Sequence, residues 1–135
     1  MRELAGLFGW ITVWGFCFEV LNYFIKFINK KYISKLPKEK KKLVDLYRTV
    51  MKFIIKFHKP VGIITVAAAI THLILMAVFV RISISGIIGV SLMLSLLALG
   101  LYGVFINKNR NGKWFKLHRA IAFVLIVIII IHVAG

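Results

Sequence analysis

The segment from His58 to His72, HKPVGIITVAAAITH, decides how this chain is read. A second segment, His118 to His132, HRAIAFVLIVIIIIH, repeats its plan, with a histidine at each end of an apolar run. In both, the two histidines are 14 positions apart, and together the segments hold all 4 histidines of the chain. In an α-helix, 14 positions turn through about 1400°, about 40° short of four full turns, and rise roughly 21 Å. The members of each pair therefore share one helix face at two depths.

Working outward, four stretches reach the roughly 17–25 apolar residues needed to cross a hydrocarbon core. They run from about Leu4 to Phe27, from His58 to Val80, from Gly86 to Ile106 and from Trp114 to Val133. Of the 135 residues, 61% are hydrophobic, more than a soluble domain of this size can bury. Only a helix satisfies its own backbone hydrogen bonds in lipid. The expected fold is thus a single all-α domain over residues 1–135, a four-transmembrane-helix bundle. The first stretch is too long for a signal peptide and lacks a small-residue cleavage site, so it reads as a retained span.

The net charge of +15 comes from 19 basic and 4 acidic residues. Such a balance raises nucleic acid as a partner, but the cations sit in connectors between apolar runs and no recognition fold remains. Membrane lipids are the expected partner. Lys30, Lys31, Lys35, Lys38, Lys40, Lys41, Lys42, Arg48, Lys52 and Lys56 fill the first connector, and Lys108, Arg110, Lys113 and Lys116 the third. The opposite side has only Arg2 and Arg81. The positive-inside rule puts both basic connectors in the cytoplasm and both chain ends outside a plasma membrane. The one cysteine, Cys17, rules out an intrachain disulfide, a CxxC pair and a CxxCH attachment motif.

Within the first connector, Leu43, Leu46, Tyr47, Val50, Ile54 and Phe57 recur at helical steps. Asp45, Arg48, Lys52, Lys56 and Lys59 take the other face. Residues 38–57 therefore read as an amphipathic helix, lying at the cytoplasmic interface or running into the second span. Pro60 either kinks that span or sits in its first turn.

The second and fourth spans run in the same direction. His58 is then level with His118 near the cytoplasm, and His72 with His132 near the exterior. A lone histidine in an apolar helix is often a hydrogen-bonded core residue, but intramembrane ionisable groups are rare and usually functional. Facing imidazoles at two depths, with no carboxylate or thiolate beside them in sequence, suit the axial positions of two haem irons better than a zinc site. The expected cofactors are two non-covalent, bis-histidine b haems between the second and fourth helices. In the third span Gly86 and Gly100 are 14 apart, as are Gly89 and Gly103. They would let a flat macrocycle approach the backbone, or would simply aid helix packing.

At these residues the chain resembles the diheme transmembrane cytochromes b. H-x13-H on the second and fourth of four helices looks like the haem-binding core of cytochrome b from quinol-oxidising bc complexes. The strings FHKPVGIITVAAAITH and LHRAIAFVLIVIIIIH are similar to the core of ferric-reductase-like and NADPH-oxidase-like membrane proteins. The resemblance implies that His58 and His118 ligate an inner haem, and His72 and His132 an outer one. It implies transmembrane electron transfer from a cytoplasmic donor, or a partner redox subunit, to an external acceptor or quinone. The rival expectations are a membrane anchor of a larger quinone-linked complex and a non-redox assembly subunit.

Haem propionates want basic or hydroxyl partners: Lys56, Lys59 and Arg119 at the inner ligands, Arg81, Ser83 and Ser85 at the outer. Each ligand's second ring nitrogen should donate a hydrogen bond. The carbonyls of Ile54, Ala68, Trp114 and Ile128, one turn back, are candidate acceptors, and Thr71 is placed to tune the outer site. Glu19 is an intramembrane carboxylate for protons, a quinone or a nearby lysine. Trp10, Trp14 and Trp114 read as packing or interfacial residues.

Overall fold

The structure, a computed structural model, describes residues 1–106 and 112–135. Lys108 and Arg110 of the second basic connector lie outside the described residues. Four helices follow one another: α1 (Arg2–Lys31), α2 (Lys41–Phe79), α3 (Ile84–Phe105) and α4 (Lys113–Ala134). Short 3-10 turns at Ile33–Lys35 and Lys38–Lys40 join α1 to α2 across Pro37. Among the described residues the fold is all-α, as expected. All four helices are long and apolar enough to cross a membrane, and they suggest a multi-pass membrane protein.

The described chain divides into two compact units, Met1–Val13 with Thr65–Gly135, and Trp14–Ile64. In the first, α3 and α4 pack antiparallel along their length. Gly103 lies against Trp114, Gly100 against His118, Gly89 against Ile128 and Gly86 against His132. Their 22 residues each span about 33 Å, close to a hydrocarbon core. Ser83 caps α3 by accepting a hydrogen bond from the Gly86 N–H at 3.1 Å, which satisfies one of the free donors at a helix start. Ala5, Ala69 and Leu125 are buried, whereas Val78, Phe105 and Ile130 are 65%, 77% and 61% exposed. An apolar surface of this extent is what lipid tails, not water, would cover.

In the second unit, the Tyr47 hydroxyl donates to the Ile25 carbonyl at 2.6 Å, joining the end of α1 to the start of α2. Val44, Tyr47, Met51, Ile54 and Phe57 are the covered residues here, while Leu43, Leu46 and Val50 are exposed. The packed stripe is thus offset from the one the sequence pattern indicates. The charged face, Asp45, Arg48, Lys52, Lys56 and Lys59, is exposed as expected.

Of the two alternatives for the amphipathic segment, the structure has it running into the second span, because α2 is continuous over 39 residues. At about 58 Å it is far longer than one crossing requires. Pro60 lies inside it, leaving the Lys56 carbonyl without its usual backbone partner. Helix α1 also runs on past Phe27 to Lys31. Its last turn carries Lys30 and Lys31, cations that favour a helix C-terminus.

Candidate functional site

The clearest constellation lies in the unit formed by Met1–Val13 and Thr65–Gly135. His72 of α2 and His132 of α4 stand with ring centres 6.2 Å apart and ring planes at 89°. His72 Nδ1 lies 2.7 Å from the Ala5 carbonyl of α1. A carbonyl only accepts, so the imidazole donates from Nδ1 and keeps the lone pair of Nε2. His132 Nδ1 lies 2.9 Å from Ser85 Oγ and 3.3 Å from Ser83 Oγ. Ser85 donates its hydroxyl proton to Ser83 at 3.3 Å, which leaves its own oxygen as an acceptor for His132.

Close backbone approach makes room for both rings. A Cβ on Gly9 would fall 3.0 Å from His72 Cε1, and one on Gly86 would fall 3.5 Å from His132 Cε1. Arg81 and Gly86 line the same small cleft as the two histidines, with Leu73, Met76 and Val90. Ser83 and Ser85, on the same side, face His132. Thr71 turns its hydroxyl to the Ala67 carbonyl of its own helix at 2.9 Å, not to the site.

A centre separation of 6.2 Å with perpendicular planes is the spacing of an edge-to-face ring pair, and Nδ1 of each ring has a polar neighbour. Among the described residues no three His, Cys, Asp or Glu side chains converge on a common point. The cleft between the two rings holds only about 20 Å³, the room of a single water, so a macrocycle would enter only if the helices lining it moved apart.

The same unit carries the other α4 histidine. His118 is half-buried, and a Cβ on Gly100 of α3 would lie 3.9 Å from its Cε1. The glycine repeat therefore has two parts. Gly86 and Gly100 lie under histidines, whereas Gly89 meets Ile128 and Gly103 gives way to the Trp114 ring. Arg119 places its guanidinium 4.7 Å from the Phe115 ring centre.

In the unit Trp14–Ile64, His58 Nδ1 lies 2.9 Å from Glu19 Oε2. A Cβ on Gly62 would come within 3.1 Å of that oxygen. Lys59 is exposed next along the helix. Glu19 thus lies against a histidine of α2.

The polar neighbours of His72 and His132 are the Ala5 carbonyl and the Ser83 and Ser85 hydroxyls, not the turn-back carbonyls of Ala68 and Ile128. Sequence reasoning missed Ala5 and Gly9. Their A-x-x-x-G spacing, a small-residue contact motif of membrane helices, was the available signal.

Comparison with known family profiles, with curated proteins and with solved structures finds no match.

Proposed function

We propose that the chain carries electrons across a plasma membrane through two b-type haems, each held by two histidines. The observation that supports this most is the His72–His132 pair, with ring centres 6.2 Å apart and Nδ1 of each ring engaged elsewhere. A bound haem iron supplies a reversible one-electron couple there. The chain's own residues bind and orient: Ala5 and Ser85 fix the two rings, Gly9 and Gly86 leave them room, and Arg81 neutralises a propionate.

The inner site rests on the sequence spacing alone. His58 and His118 repeat the pair at the same 14-residue interval, with Lys59 and Arg119 as propionate partners and Gly100 making room. The donor is a cytoplasmic carrier or redox subunit, steered by the basic connectors. The acceptor lies outside, or is a quinone.

Paired variants test the reading. His72→Ala and His132→Ala should each abolish the same haem signal in low-temperature optical spectra and spare the other. His58→Ala and His118→Ala should abolish the second. Loss of one common signal from His58→Ala and His132→Ala would contradict the pairing.

A further inference from the structure

Helix α1 ends in a cationic recess. Phe27, Lys30, Lys31 and Lys35 line an open hollow of about 320 Å³ inside the unit Trp14–Ile64. Lys30 and Lys31 come from the last turn of α1, and the 3-10 turn Ile33–Lys35 brings Lys35 to the same hollow. Lys31 is held in place, not loose: its Nζ stands 5.6 Å from the Phe27 ring centre and 5.5 Å from that of Tyr32, within reach of both rings. Among the described residues no carboxylate lies within 4.0 Å of the Lys30, Lys31 or Lys35 ammonium.

Three ammonium groups around one hollow repel one another, and the partial negative charge at a helix C-terminus offsets only part of that. The neighbouring sequence deepens the imbalance, since residues 30–42 hold seven lysines against one acid, Glu39. The recess calls for an anion, and its place says what the anion is attached to. Phe27 closes the apolar run that begins near Leu4, and the lysines follow it. With α1 read as a membrane span, the hollow falls where acyl chains give way to headgroups. There the Phe27 and Tyr32 rings are 46% and 56% exposed. A ligand that is anionic at one end and apolar at the other suits both the lysines and the rings. An acidic protein segment suits only the lysines. A zwitterionic lipid brings a quaternary ammonium with its phosphate and leaves the net charge of the hollow unchanged.

We propose that this recess binds the headgroup phosphate of an anionic glycerophospholipid. Lys30, Lys31 and Lys35 surround the phosphoryl oxygens, and Phe27 meets the apolar part of the lipid. The site is independent of whether the chain carries haem.

Native mass spectrometry of the full chain in detergent tests this, with phosphatidylglycerol and phosphatidylcholine of identical acyl chains added in equal amounts. The wild type should retain phosphatidylglycerol in roughly fivefold excess or more, about what one lysine contributes at an anionic surface. Lys30→Gln, Lys31→Gln and Lys35→Gln together should abolish the preference. Lys38→Gln, Lys40→Gln and Lys41→Gln together remove the same charge outside the recess and should keep it. All six lysines are exposed, so both variants should fold, and helical circular dichroism checks that they do. Equal retention of the two lipids by the wild type, or equal loss of preference in the two triple variants, overturns the site. Displacement of the lipid by inorganic phosphate overturns it in favour of a free anion. Binding of a polyglutamate peptide through the same three lysines, with neither lipid preferred, overturns it in favour of an acidic protein partner.

Discussion

A histidine in an apolar helix has two ring nitrogens to satisfy, and at His72 the structure satisfies one of them with an unusual partner. The Ala5 carbonyl that takes the Nδ1 proton belongs to another helix, and Ala5 itself is fully buried. One turn on, Gly9 lies under the same ring. A leucine at Gly9 would drive its side chain into the imidazole, since even a Cβ stands at 3.0 Å from Cε1. Gly9→Leu should therefore lower bound haem from two to one per chain, the survivor being the haem that His72→Ala also spares. Haem extraction with protein quantitation checks it. The histidines themselves were legible because their spacing is a property of one helix. Their anchors were not, because Ala5 and Ser85 come from elsewhere in the chain and only packing brings them near.

Helix by helix, the third span shows how far a repeat can be read. Its two glycine pairs have the same interval as the histidines, yet Gly86 and Gly100 lie against His132 and His118 while Gly89 and Gly103 do not. Interval fixes the shared face, but the neighbour on that face depends on the rotation of α4. Gly103→Ala should destabilise the α3–α4 pair by about 1–3 kcal/mol, because the new methyl collides with the Trp114 ring. Gly89→Ala should be nearly neutral, as its Cβ would meet Ile128 at an ordinary 3.8 Å. Thermal melts of helical circular dichroism in detergent should show a lower Tm for the first variant alone. Helix α2 gives the opposite lesson. Its amphipathic and apolar halves look like separate elements by composition, but nothing between Leu43 and Phe79 stops a helix except Pro60, and one proline does not suffice.

At the scale of the whole molecule, four apolar helices were legible from four separate apolar runs in a chain of 135 residues that is 61% hydrophobic, a composition that suggests a multi-pass membrane protein. Orientation is a separate matter of charge. If all four helices cross, both ends share one side, and the positive-inside rule applied to the basic connectors would make that side the exterior. A C-terminal reporter that works only in the cytoplasm should stay silent, and a strong signal would reverse the assignment. The central claim is the cofactor, and its most direct measurement is the ratio of haem to chain in the purified protein by pyridine haemochrome. The account predicts two non-covalent b haems per chain, with the spectrum of low-spin, bis-histidine iron. A ratio near one or near zero would contradict it.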